Sequence, residues 1–183
     1  MPRCKKCGEK FKPVEFLQKF CKGNIDCLAA EGMYKLGQLK KANAKKAKVE
    51  YKAAKENLMT RSDWLKLFQA VFNTYIRQRD KDDPCISCGT TKNVKYDAGH
   101  YFATTYSYLR FNEDNVHKQC SYNCNMSLSG NFHEYTPRLI EKIGKEKVDR
   151  LHLDRHKKLE ITIEEIKDQI KVYRLKIKKL KQT

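Results

Sequence analysis

Apolar and polar positions alternate along the chain in distinct rhythms. Over residues 62–79, Trp64, Leu65, Phe68, Val71, Phe72, Tyr75 and Ile76 return every three or four positions, the spacing of one buried face of an α-helix. Ser62 is read as the cap, and the charged run Arg77–Asp83 with Pro84 as the stop. The aromatic members share that face, so they read as core and not as a base-stacking platform. Residues 136–151 predict another helix, with Leu139, Ile140, Ile143, Val148 and Leu151 inside. Thr162-x-x-Glu165 is a capping box that opens a last helix. That helix carries the stripe Ile163, Ile166, Ile170, Tyr173 and Ile177, and its lysines are Lys167, Lys171, Lys176, Lys178 and Lys179. Residues 31–60 are rich in Lys and Ala and too poor in apolar positions to bury a face, which predicts a solvated helix. Residues 85–131 hold short apolar runs broken by Gly and Asn, which favour strands and turns before a short helix. In residues 1–30, Phe11, Phe16, Leu17 and Phe20 are too few for a core and are expected to pack around a metal. No internal repeat is visible at a solenoid period.

Charge narrows the partners. The 183 residues carry a formal net charge of +17, with 40% apolar and 33% charged residues. A chain this basic favours a polyanion, because neutralising phosphates releases counterions. Nucleic acid is the expected partner, and a membrane surface is the weaker alternative. No apolar run approaches the roughly 18 residues of a membrane span. The start, Met1-Pro2-Arg3-Cys4-Lys5-Lys6-Cys7, lacks the apolar stretch of a signal peptide. A cytoplasmic location is therefore expected, the cytoplasm of a bacterial host if the gene is phage-borne.

In a reducing compartment the eight cysteines point to metal and not to disulfides. They form two sets: Cys4-x2-Cys7 with Cys21-x5-Cys27, and Cys85-x2-Cys88 with Cys120-x3-Cys124. Two short-spaced thiolate pairs suit tetrahedral zinc, so two structural Zn²⁺ sites are expected. The domain organisation follows: a zinc knuckle over 1–30, a basic helical arm over 31–60, and the main domain over 61–183. In the arm, Lys40, Lys41, Lys45, Lys46 and Lys48 fit a DNA-contacting surface as well as a plain linker.

The second zinc would close a loop of more than thirty residues and hold Asp97 and His100 against the segment from Asn115 to Asn125. Hydrolysis of a phosphodiester needs a base, a divalent cation and hard oxygen ligands for it. His100 can be the base, Asp97 and Asn125 can offer oxygens, and His117 a nitrogen, to Mg²⁺ or Mn²⁺. Each residue alone is bland; their position between two zinc-ligand pairs of a basic chain is not. Asp97 and His100 would face opposite ways on an ideal strand, and Gly99 is expected to permit a bend that joins them. His152-x3-His156 lacks an accompanying Glu and reads as solvated surface.

The segments Pro84–Gly89, Asp97-Ala-Gly-His-Tyr101, Leu109–Asn115, Val116–Cys120, Cys124-Asn125 and Ser129-Gly-Asn131 resemble the NinG/Rap family of lambdoid phages. The resemblance covers roughly residues 60–170, with a looser match in the N-terminal cysteines. It implies a recombination endonuclease acting on Holliday junctions and displacement loops. The same motifs resemble the ββα-metal core of the phage resolvase endonuclease VII, in which an Asn directly after the last Cys binds the catalytic metal. Asn125 matches that position, and Asn115 matches the central Asn of the HNH pattern, which braces the His-bearing loop. The expected fold is α+β: a small zinc-stabilised, HNH-like His-metal-finger core framed by helices, plus the N-terminal knuckle. Arg110 and Lys118 join the arm lysines as expected DNA contacts. Two symmetric cuts in a four-way junction favour a homodimer; the isoleucine stripe is one available contact, but its packing onto its own domain is the simpler reading. The competing readings are a non-catalytic zinc protein that binds DNA in recombination or regulation, and a protein-binding adaptor.

Overall fold

Asn24 starts the longest element of the chain. Its side chain accepts from the Cys27 amide at 2.8 Å and caps α1, Ile25–Asn57. The computed structural model describes residues 1–182 and divides the chain into two units, Met1–Leu58 and Met59–Thr183. In the first unit, Cys27 is the one buried residue of α1, so the helix draws little from packing. Ion pairs spaced four residues apart support it locally: Lys35–Glu31, Lys46–Glu50 and Lys52–Glu56. The boundary expected at residue 30 falls inside this helix, because the fourth cysteine of the first set lies in its opening turn. Phe20 is buried with Cys4 and Cys27, and Phe11 packs beside them. Phe16 and Leu17, expected around the metal, instead project outward at 94% and 74% exposure. The side chains that pack beside the sulfurs are Phe11, Phe20, Ala30 and Tyr34.

The second unit runs α2 (Arg61–Arg79), β1 (Tyr96–His100), β2 (Val116–Cys120), α3 (Phe132–Ile143), α4 (Lys145–Asp154) and α5 (Ile163–Leu180). The cap of α2 is Thr60, paired reciprocally with Asp63, and not Ser62. A second capping box, Thr162 with Glu165, opens α5 as the sequence implies. The stripes of α2 and α5 pack on each other: Trp64, Phe68, Phe72, Tyr75 and Ile76 meet Ile166, Ile170 and Tyr173. Burying one such large apolar side chain contributes roughly 1.5–3 kcal/mol. The isoleucine stripe considered as a dimer contact is thus covered inside its own unit.

β1 and β2 form one antiparallel pair, with Asp97 opposite Gln119, Gly99 opposite His117 and His100 opposite Val116. Side chains alternate across the sheet. Ala98 and Val116 enter the α2–α5 core. On the other face Tyr135 of α3 donates to the Gly99 carbonyl at 3.1 Å. A second core, built on Tyr101, Phe102, Leu109, Tyr135, Leu139, Val148 and Leu151, lies against α3 and α4. The single helix expected over 136–151 is two helices, because Gly144 takes φ 85°, a left-handed value that breaks the run. Among the described residues no helix is long and apolar enough to cross a membrane. The chain is therefore a helix-rich mixed fold with one small two-stranded sheet.

Candidate functional site

Both cysteine sets converge. In each, four sulfurs lie within 4.8 Å of one another. Cys4–Cys27 and Cys7–Cys21 are 3.7 Å apart, and Cys88–Cys120 are 3.5 Å apart. A tetrahedron with Zn–S bonds of about 2.3 Å puts its sulfurs about 3.8 Å apart, whereas a disulfide needs about 2.05 Å. The donor sets fit zinc. Each Cys-x2-Cys turn closes on a glycine with positive φ, Gly8 and Gly89, whose amides donate to the carbonyls of Cys4 and Cys85 at 2.9 Å. Burial raises the Cys4 thiol, but the amides of Cys7, Cys21 and Lys6 outweigh it and hold the thiol down at about 6. Burial and neighbouring sulfurs push Cys27 up to about 12, so that group gives up its proton only to a metal. Elemental analysis of the purified chain should find about two zinc ions per molecule, one per quartet. One or none, with all eight thiols readily alkylated, would refute the assignment.

The quartet of Cys85, Cys88, Cys120 and Cys124 ties β2 and the π-helical turn Ser121–Ser127 to the loop before β1. This places Asn125 beside Asp97, with Asn125 Nδ2 donating to Asp97 Oδ2 at 3.3 Å. The bond leaves Asn125 Oδ1 and the second Asp97 oxygen as hard donors. Both residues are partly exposed.

His100 lies at the end of β1 on the opposite face. The expected bend at Gly99 is absent: residues 96–100 keep regular register with 116–120. Glycine is required there for another reason. A Cβ at 99 would strike the Gln119 side chain, 2.7 Å from its Cβ and 2.8 Å from its Cδ. Gln119 is fully buried, donates to Ser87 Oγ at 2.6 Å, and has no partner for its Oε1 among the described residues.

His100 Nε2 is 3.0 Å from the Arg110 carbonyl oxygen. A carbonyl only accepts, so Nε2 carries the proton and Nδ1 keeps its lone pair. Burial is the largest influence on this ring and holds its pKa below the usual imidazole value, against the opposing pull of the Arg110 and Ala98 carbonyls. Burial thus favours the neutral ring, whose Nδ1 can accept a proton. Asn115, fully buried, braces the loop after His100: it accepts from Phe102 N at 2.8 Å and donates to Phe102 O and Leu109 O at 3.0 Å.

His117 is not placed to bind the catalytic metal. It is buried, its Nδ1 accepts from Arg79 at 3.0 Å, and its Nε2 donates to the Asp114 carbonyl at 3.2 Å. Both nitrogens are occupied. Behind it the buried Asp80 accepts from Arg79 Nε at 2.6 Å and from the Lys118 amide at 3.1 Å. Burial opposes the charge on Asp80, but the Arg79 guanidinium and the Lys142 ammonium overcome it and hold the carboxyl far below its usual range. Sequence reading gave no sign of this network, because Arg79-Asp80 is an ordinary helix end until the sheet folds onto it.

Lys118, expected to contact DNA, turns its side chain back onto the protein. Its ammonium donates to the carbonyls of Lys81 and Asp83 at 2.8 and 2.6 Å and covers the Tyr96 ring. Arg110 keeps a partly exposed guanidinium, held by Gln69 at 2.7 Å. Lys40, Lys41, Lys45, Lys46 and Lys48 are all exposed on α1.

A family model described as Bacteriophage Lambda NinG protein matches residues 1–183. Protein ninG of Escherichia phage lambda is 46% identical over 131 residues, 71% of this chain and 63% of that one. Protein ninG of Salmonella phage P22 is 46% identical over 71% of this chain and 64% of its own length. The chain thus spans a little under two thirds of these two relatives. Protein ninG of Escherichia phage 933W is 38% identical over 98% of this chain and 93% of its own. No solved structure matches the chain.

Proposed function

The chain belongs to the NinG family of bacteriophage proteins, and from that premise we propose that it is a metal-dependent DNA endonuclease of the His-metal-finger type, acting on branched recombination intermediates. The observation that carries this reading is the 3.0 Å contact of His100 Nε2 with the Arg110 carbonyl oxygen. That carbonyl holds the ring proton on Nε2 and leaves Nδ1 as a base, at the end of a strand that the second cysteine quartet would tie through zinc. Asp97 and Asn125 meet on that strand's other face, and each keeps one oxygen outside the bond between them. Two protein oxygens suit Mg²⁺, which keeps several waters. A divalent cation held there would supply positive charge to the phosphate and the departing oxygen. His100 Nδ1 removes a proton from water, the water oxygen bonds to phosphorus, and one phosphorus–oxygen ester bond breaks. Asn115 keeps the loop that presents His100 and Arg110 in place.

One observation favours the alternative of a non-catalytic zinc protein that binds DNA. Asp97 and His100 emerge on opposite faces of β1, so a substrate must straddle the strand end to touch both. Magnesium-dependent nicking of a synthetic four-way junction decides between the two. Nicking by the parent and its loss in His100→Ala support the enzyme; junction binding without nicking supports the alternative.

The lysines of α1 are expected to add affinity without sequence preference, because they meet phosphates as point charges. Replacing Lys40, Lys41, Lys45, Lys46 and Lys48 with Gln should weaken binding to all DNA alike and flatten the dependence of log K on log salt, by roughly 0.9 for each phosphate no longer neutralised. An unchanged slope in a salt titration would remove α1 from the binding surface.

A further inference from the structure

Three segments remote in sequence meet in a cleft of about 520 Å³ in the second unit. They are the start of α2, the loop that follows His100, and the link between α4 and α5. Five cationic side chains line it: Arg61, Arg110, Arg155, Lys157 and Lys158. Thr105 and Ser107 add hydroxyls, and no carboxylate is among the lining residues. Lys157 reaches a carboxylate outside the cleft, Asp154, at 2.6 Å.

The arginines are positioned by neutral groups. Arg61 donates to the carbonyls of Ile161 at 3.1 Å and Leu159 at 3.5 Å. Arg110 is held by the Gln69 amide, and Arg155 lies over the Phe102 ring. Burial of Arg110 opposes its charge, and no anion offsets that burial. Like charges gathered this way repel one another unless an anion joins them. Guanidinium groups fixed by uncharged partners keep donors for bidentate contact with phosphate oxygens. The cleft also adjoins the candidate base, since the Arg110 carbonyl holds His100.

We propose that this cleft seats the phosphodiester backbone of a DNA strand beside the cut site. The proposal rests on the DNA-endonuclease reading and adds the surface that delivers the strand to His100. Arg110 takes a phosphate next to the scissile one, and Arg155 and Lys158 take phosphates further along the same strand.

Binding of a labelled four-way junction to the full chain, measured by anisotropy without magnesium between about 50 and 200 mM salt, tests this. Arg155→Gln with Lys158→Gln is compared with a charge-matched pair outside the cleft, Lys66→Gln with Lys171→Gln. The cleft pair should lower the salt slope by roughly 1.8, about 0.9 per phosphate, and weaken binding about tenfold or more. The control pair should change either little. If the cleft pair melts early, Lys158→Gln alone serves, since Lys158 is exposed. Equal effects of the two pairs, or no effect of either, overturn the cleft while leaving parental nicking intact. Loss of binding in the cleft pair from a parent that nicks nothing overturns the endonuclease reading and keeps the cleft. A parent that binds no DNA overturns both.

Discussion

His100→Ala should cut a branched substrate about 10²–10⁴-fold more slowly than the parent, the usual contribution of a positioned general base. Zinc content, thermal unfolding and junction binding should change little, because four cysteines complete the nearby metal set without it. The pH profile gives a second readout. The active form has lost its proton, so the parental rate is low in acid and rises with pH. Burial holds the His100 pKa below the usual imidazole value, so the rise should be centred below that of a free imidazole. In His100→Ala that rise should disappear. Excess Mn²⁺ should not rescue it, since the missing function is proton removal, whereas Asn125→Ala should recover in part. Single-turnover rates across the pH range would decide. A variant that cuts as fast as the parent, or one that loses zinc and unfolds, rules out the role given to His100.

Cys120→Ser is the second large effect. Cys120 is buried in β2, and its backbone amide donates to the Cys85 sulfur at 3.3 Å. Apparent zinc binding in small zinc folds is worth about 10–16 kcal/mol. That is as large as the whole stability of an ordinary domain, about 5–15 kcal/mol. The segment from Cys85 to Asn131 has little apolar packing of its own around the sulfurs: among the described residues, Tyr96 alone joins Cys85, Cys120 and Cys124 there. Loss of the metal should therefore melt this segment, while the α2–α5 core retains much of its helix. Cys7→Ser should remove the N-terminal zinc and leave that melting unchanged. Calorimetry with zinc analysis of both variants checks the pair. Unfolding of Cys120→Ser at the parental temperature would mean that the second quartet is not structural.

Features encoded by local spacing were readable from the chain. The stripes of α2 and α5, the Thr162–Glu165 box and both quartets depend on residues a few positions apart, or on cysteine chemistry that leaves few alternatives. The meeting of Asp97 with Asn125 was readable because a metal on the second quartet would shorten the path between them. What escaped depends on distant partners. His117 offers a metal a nitrogen until Arg79 and the Asp114 carbonyl occupy both sides of its ring. Lys118 looks like a phosphate contact until the turn after α2 presents two carbonyls to it. Phe16 and Leu17 resemble core by hydrophobicity alone, yet both project outward from the knuckle. The basic cleft unites residues from Arg61 to Lys158, and no window along the chain brings them together.

The lodging of Gln119 over Gly99 makes two strand positions a single unit of inheritance. A side chain gained at 99 collides with Gln119. A shorter residue at 119 opens a void and removes the amide that donates to Ser87 Oγ. Each change alone is penalised, and the two together relieve one another, so their costs are not additive. Drift at either position must pass through a weakened intermediate. The strand that carries the candidate base is thereby shielded from gradual substitution, by packing alone and independently of any selection on cleavage.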